Sequence, residues 1–314
     1  MKSLRKAAAD YLALRRSLGF KAENVERNLR SFIPFLEGKG ATRITTSLAL
    51  QFATQRQQTH PTECAGRLST VRGFAAYRRA VDPNTEVPPR GLLPQSPRHM
   101  KPYLYSEDEI RQILKGARNL PSIDGLHPWT YYCLLGLLAV TGMRLGEAVN
   151  LQLRDVDWTQ GMLTIRRTKF GKSRLVPLHT STQKVLARYV KRRNRLFPGQ
   201  SDQPLFVSTR GTPFRYLHVI EETFKRLMRR IGIPAHPVNH KPRLHDFRHR
   251  FAVETLKQWY RSGEDVERRL PVLSTYLGHA HIRHTYWYLT NTPELMGAAG
   301  KRLEKRWGTL YDHH

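Results

Sequence analysis

RLHDFRHRFAVETL (243–256) and VLSTYLGHAHIRHTYWYL (272–289) are the two segments on which the reading of this chain turns. The first sets His245, Arg248 and His249 within one helical turn, where residues three and four apart share a face. The second carries Gly278 and His279 ahead of two tyrosines, Tyr286 and Tyr288. Imidazoles and a guanidinium at these spacings are poor material for a core and well suited to holding a phosphate beside a phenol. Glycine at 278 permits a sharp turn, which leaves the His279 imidazole near the start of the next helix, where anions are favoured. Two histidines four apart also suit zinc, but no glutamate stands between them and an arginine is a poor neighbour for a cation, so no metal is expected. The plain alternatives are a structural turn at 245–249, a polar helix face at His281 and His284, and tyrosines that fill a core or an interface.

The length, 314 residues, suggests about two domains. Lys and Arg number 53 against 25 Asp and Glu, a formal net charge of +28. That excess predicts binding to a polyanion that weakens as salt rises, because bound counterions are released. Hydrophobic residues make up 39%, with 12 Phe, 5 Trp and 13 Tyr, enough to build cores and to exclude a disordered basic tail. Cys64 falls on a helical pattern and Cys133 in the apolar run YYCLLGLLAV; two cysteines make no disulfide framework and no metal cluster. The start lacks the apolar stretch of a signal peptide, and no run of about 18 apolar residues is present to cross a membrane. The expectation is a reducing bacterial cytoplasm, near the nucleoid, with no membrane partner.

Apolar residues at helical spacing predict four helices near 3–18, after Asn24, at 47–57 and at 62–79. They form an all-α unit over 1–82, with Arg67, Arg72, Arg78 and Arg79 on an outer face that either meets a nucleic-acid backbone or is simply solvated. Prolines 83, 88, 89, 94 and 97 predict an extended basic linker over 83–104. Ser106 with Glu109 three residues on reads as a capping box opening a second domain, 105–295. Pro128 is expected to open a helix apolar nearly all round, ending at a Thr-Gly turn before Arg144. Segments 162–166 and 174–178 predict a β-hairpin with Lys169 and Lys172 at its tip, where a lysine is either an exposed turn residue or an ammonium placed near a leaving oxygen. Helices are expected at 181–195 and 217–231. Arg144 and Glu147 stand three apart, so Glu147 either pairs with Arg144 or orients it toward a phosphate. The fold class expected is mainly α with a small β-sheet, the second domain being α+β.

Taken in order, these segments resemble the tyrosine recombinases, the Xer-type and phage-integrase-type site-specific recombinases. TGMRLGE (141–147) resembles the family's first arginine box, TKFGKSRLVPL (168–178) its hairpin lysine segment, HDFRHRFA (245–252) its His-x-x-Arg-His box and LGH (277–279) its later histidine; a tyrosine follows nine residues on, at 288. The resemblance covers nearly the whole chain. It implies a two-domain, C-shaped DNA clamp, with an all-α SAM-like core-binding domain ahead of a tyrosine-recombinase catalytic domain. It implies that Tyr288 attacks the scissile phosphate to give a 3′-phosphotyrosyl link, that Arg144, Arg248 and His279 hold the phosphate oxygens, that Lys169 protonates the leaving 5′-oxygen and that His245 accepts the tyrosine proton. Glu147 and His249 would support them, and Arg67, Arg72, Arg78, Lys172, Arg174, Arg243 and Arg250 would contact DNA. Arg250 stands where the family usually has Ser or Thr, giving either an extra cation beside the phosphate or an outward backbone contact. No cofactor is required. Segment 292–307 reads as a terminal helix, and 296–314 as a tail that docks on a neighbouring protomer. The implied assembly is a homotetramer, or one shared with a related recombinase, on paired sites in double-stranded DNA, with accessory DNA-bending proteins possible. A type IB topoisomerase-like relaxing enzyme, a catalytically decayed DNA-binding protein and a zinc-dependent nuclease are the rival readings.

Overall fold

The structure, a computed structural model, describes residues 4–55, 61–94, 102–166, 173–198, 201–233, 241–279, 281–290, 294–297, 299–300 and 304. The chain divides into two compact units, Met1–Met100 and Lys101–His314. In the first, α1 (Leu4–Ser17), α2 (Glu23–Gly38), α3 (Thr46–Thr54) and α4 (Pro61–Arg79) close around one apolar centre. Phe32 of α2 meets Phe52 of α3 with ring centroids 4.9 Å apart, and Val71 and Phe74 of α4 are fully buried beside them. The proline-rich stretch packs back onto this unit in part. Val87 and Leu93 lie against its core, and the Glu86 N–H donates to the Ile44 carbonyl at 3.0 Å.

This unit corrects the outward reading of three arginines. Arg67 is only 4% exposed and lies over the Phe52 ring at 4.1 Å, where its flat cation complements the negative ring face. Arg72 donates to the carbonyls of Pro88 and Pro89 at 2.7 and 2.8 Å, fastening the proline stretch. Arg78 faces Asp82 at 3.5 Å with its side chain 11% exposed. Helical spacing reports the side of the helix, but it does not report a neighbouring ring or carbonyl that makes burying a guanidinium tolerable.

The second unit is built on α6 (Leu126–Thr141), where 11 of 16 residues are buried. It starts two residues before Pro128, which therefore sits in the first turn, where its missing N–H costs nothing. Against α6 pack α5 (Glu107–Arg118), opened by the Ser106–Glu109 capping box, and the short α7 (Leu145–Val149). The sheet is three-stranded and antiparallel: β1 (Val156–Asp157), β2 (Met162–Ile165) and β3 (Arg174–Pro177). β2 and β3 are the hairpin expected from the sequence, in the register Leu163↔Val176 and Ile165↔Arg174. The two-residue β1 is too short to show an alternation in sequence. α8 (Thr180–Leu196) and α9 (Leu217–Ile231) complete this core.

α10 (Asp246–Arg261), α11 (Val266–Leu277) and α12 (Arg283–Thr290) carry a second apolar cluster, to which Ala252, Leu256, Leu270, Leu277, Tyr288 and Leu295 belong. Residues 294–297 are helical, and Leu295 is buried at 1% exposure, so this part of the terminal segment packs on its own unit. Arg193 of α8 is fully buried, donating to the carbonyls of Pro204 and Phe197 and to the side chains of Gln203 and Asn194. Arg193→Leu leaves those acceptors without their donor and should lower the unfolding free energy by roughly 2–4 kcal/mol in urea denaturation, whereas Arg195→Gln on the exposed side should change it by less than about 0.5 kcal/mol.

Candidate active site

Two glycine turns organise the site. Gly142 caps α6 at φ 60° and Gly278 caps α11 at φ 67°, a region L-residues avoid. Neither has room for a side chain: a Cβ at Gly142 would lie 2.6 Å from the Phe251 ring, and one at Gly278 would lie 2.9 Å from the Arg174 guanidinium.

These turns present carbonyls to arginines. Arg248, 2% exposed, donates to the Gly142 carbonyl at 3.0 Å and to the Leu277 carbonyl at 2.6 Å, joining the C-terminal ends of α6 and α11. Arg144 donates to the next carbonyl, Gly278, at 2.9 Å. A helix C-terminus is its negative end, which favours both cations. Burial nevertheless lowers the Arg248 pKa to about 10.

Glu147 holds the second side of this cluster. Its carboxylate accepts from the Arg144 backbone N–H at 2.9 Å, from the Arg144 side chain at 2.7 Å, and from both terminal nitrogens of Arg174 at 3.1 and 2.7 Å. Burial works against its charge, but the Arg174 and Arg144 bonds prevail and hold its pKa at about 2. Both readings of Glu147 therefore apply: it pairs with Arg144 and fixes its position. Arg174, expected as a DNA contact, is instead engaged with Glu147, with its side chain 10% exposed. The reason is the pleat. At the start of β3, the Arg174 side chain points to the inner face, beside α7 and α11, whereas Leu175 is 57% exposed.

The three histidines line the same space. His245 and His249 are edge to face at 4.8 Å, and His249 also faces Tyr288 at 5.5 Å. His279 stacks on Tyr288 with centroids 6.1 Å apart, and its Nδ1 meets the Thr285 hydroxyl at 2.8 Å. Burial, reinforced by neighbouring cations, depresses all three imidazoles, His245 to about 4 and His249 and His279 to about 3. They are neutral at pH 7. Thr285 belongs to none of the sequence motifs; its only signal there is a hydroxyl six residues after His279, a spacing that brings it back to the imidazole across the turn into α12. A hydroxyl donating to Nδ1 leaves the ring proton on Nε2, the tautomer that can donate to a bound oxyanion.

Tyr288 is 3% exposed and lies close enough to Arg248 and Arg144 for both charges to act on its phenol. Burial raises its pKa, while Arg248 and Arg144 act in the opposite direction. Tyr286 is 44% exposed, on the other side of α12. Arg144, Glu147, His245, Arg248, His249, His279 and Tyr288 thus converge. Lys169 and Lys172 lie outside the described residues. Arg243 pairs with Asp246 at 3.1 Å and keeps its side chain 55% exposed at the rim. Arg250 takes neither of its expected places: it donates to the Tyr105 carbonyl at 2.8 Å and pairs with Glu107, tying α10 to the entry of α5. Among the described residues no group of His, Cys, Asp and Glu could hold a metal ion, and no helix is long and apolar enough to cross a membrane.

The family model described as the phage integrase family matches residues 104–294. This chain belongs to the phage integrase family. Within that family, y4rB of Sinorhizobium fredii, itself assigned only provisionally as an integrase/recombinase, is 50% identical over 98% of this chain and 99% of its own. The tyrosine recombinase XerD of Caulobacter vibrioides is 29% identical over 73% of this chain and 70% of its own. Among solved structures, the Tn1549 transposon integrase in complex with a circular intermediate DNA matches at a TM-score of 0.66 and 16% identity, over 94% of this chain and 99% of that one. A lambda integrase tetramer bound to a Holliday junction matches at 0.59 and 17% identity, over 90% and 78%. The likeness to these structures is one of fold.

Two measurements probe this integrase-family site. The histidines bind protons near pH 6.5 when unfolded and only near 3 to 4 when folded, so between those values the unfolded state takes up more protons. Stability should therefore fall as pH drops from 7 to 5, seen as a lower urea midpoint, and the fall should be shallower in His249→Phe. Thr285→Val keeps the shape but removes the Nδ1 partner, so nitrogen NMR should show His279 passing from a single neutral tautomer to a mixture.

Proposed function

We propose that this protein is a site-specific DNA recombinase that cuts and rejoins double-stranded DNA through a covalent tyrosine link. The observation that carries this reading is the pair of adjacent carbonyls, Leu277 and Gly278, that anchor Arg248 and Arg144 beside the buried Tyr288. Each guanidinium has five N–H donors. The carbonyl and carboxylate bonds named above occupy one N–H on each terminal nitrogen, which leaves donors for a phosphate.

Tyr288 Oη attacks the scissile phosphorus as the bond to the 5′-oxygen breaks, giving a 3′-phosphotyrosyl link and a free 5′-hydroxyl. The phenol proton passes to neutral His245, and Lys169, assigned from the sequence, protonates the leaving oxygen. Arg144, Arg248 and the His279 Nε2–H stabilise the charge on the non-bridging oxygens. The covalent link conserves the phosphodiester energy, so a 5′-hydroxyl from another duplex reverses the step without nucleotide or metal. A lambda integrase tetramer is known on a Holliday junction; we extend that assembly to this chain, with four protomers exchanging strands between two sites. The all-α first unit would bind the DNA arms, and the second unit would do the chemistry.

The test uses duplexes enriched by binding from a randomised pool, then nicked to trap the covalent product, in the presence of chelator. Wild type and Tyr286→Phe should give a covalent protein–DNA band, and Tyr288→Phe should give none. A band from Tyr288→Phe overturns the assignment. Relaxation of supercoiled plasmid with no junction between two labelled sites would assign the same chemistry to a relaxing enzyme.

A further inference from the structure

We propose that the exposed face of α8 is a second DNA-backbone contact, separate from the catalytic site, which holds a further duplex segment. Lys184, Arg188, Lys191, Arg192 and Arg195 are all exposed, and α8 contains no Asp or Glu. At 100° per residue these five cations fall within about 100° of one another. Leu186, Tyr189 and Arg193 are buried on the opposite side. None of the five forms an ion pair among the described residues.

Such a stripe is unfavourable in isolation. Lys184–Arg188, Arg188–Arg192 and Lys191–Arg195 are like charges at four-residue spacing, where they repel. An exposed face that served only solubility would gain from mixed signs. This one keeps a single sign over about 16 Å, the axial span of about five phosphates of one DNA strand. A second observation extends the patch to the neighbouring helices. Trp129 of α6 lies between two guanidinium groups, Arg118 of α5 at 3.7 Å and Arg192 of α8 at 4.5 Å. Stacking on one ring restrains both cations, so less side-chain freedom remains to be lost on binding an anion.

The site described above draws nothing from α8. It is assembled by α7, β3, α10, α11 and α12, and around α6 the two regions occupy different sides. Cys133, Gly136 and Val140 border a groove shared with Ser181 and Val185, whereas Ala139 borders one shared with Phe251. The stripe is assigned to a duplex segment other than the one at the catalytic residues. The inference rests on the reading that this chain acts on DNA, but it does not depend on the chemistry assigned to Tyr288.

The experiment uses the full chain with its first site filled by an excess of an unlabelled short duplex, after which a labelled second duplex is titrated. In the combined variant Lys184→Gln, Arg188→Gln, Lys191→Gln and Arg195→Gln, second-duplex affinity should fall at least tenfold at about 0.1 M salt. The slope of log K against log salt should become shallower by about 3 to 4, near 0.9 for each phosphate that no longer meets a cation. Binding and cleavage of the short duplex should be unchanged, and the melting temperature should hold or rise as the repulsion is relieved. An unchanged second-duplex affinity and slope overturns the proposal. An equal loss on the short duplex overturns it too, by assigning the stripe to the track through the catalytic site. Binding of wild type, but not the variant, to vesicles of anionic lipid, with DNA binding untouched, would reassign the face to a membrane surface.

Discussion

Arg248 is the strut on which the geometry of the candidate site depends. One buried guanidinium ties the end of α6 to the end of α11 through the Gly142 and Leu277 carbonyls, and its charge acts on the Tyr288 phenol. Burying an isolated cation is costly. The cost is offset here because two helix C-termini, both negative ends, converge on it. Arg144 then takes the carbonyl immediately following, at Gly278. The anchor points of the two arginines are neighbouring peptide groups of one chain, so their separation is set by covalent geometry rather than by packing. A lysine at 248 could not reproduce this, because a single ammonium on a flexible stem cannot span two helix ends.

The remaining polar groups are arranged around that strut. Glu147 is held charged by two arginines and in turn holds both of them. Thr285 meets His279 from the first turns of α12, the helix that also carries Tyr288. The tyrosine belongs to the smaller apolar cluster of α10 to α12, not to the main core around α6. Its position therefore follows α11 and α12, while that of Arg144 follows α6 and α7, and Arg248 is the residue that joins the two.

Much of this was legible in the sequence. The helices followed from their apolar spacing, the hairpin from its paired β-branched runs, and the gathering of Arg144, Arg248, His279 and Tyr288 from motifs whose order resembles a known family. That only one of Tyr286 and Tyr288 could face inward followed from the turn of roughly 200° between positions two apart on a helix, and the choice of Tyr288 from its place nine residues after His279, as in the family the motifs resemble. What escaped was the fate of individual arginines. Arg67, Arg72, Arg78, Arg174 and Arg250 read as surface cations, yet each meets a ring, a carbonyl or a carboxylate brought from elsewhere in its unit. In a chain this basic, composition announces the polyanion, but it does not say which cations are left over to meet it.

Counting charge in the pocket has a further consequence. Arg144, Arg174 and Arg248 face a single carboxylate, Glu147, and the three histidines are neutral at pH 7. Arg243 at the rim is balanced by Asp246. The described wall thus holds two positive charges that it does not neutralise itself. A phosphodiester carries one negative charge at rest and nears two as a fifth oxygen closes on phosphorus. On the function proposed above, this surplus exceeds the charge of a resting phosphodiester and matches that of the crowded one, so the attraction would grow along the reaction coordinate instead of being spent on the substrate.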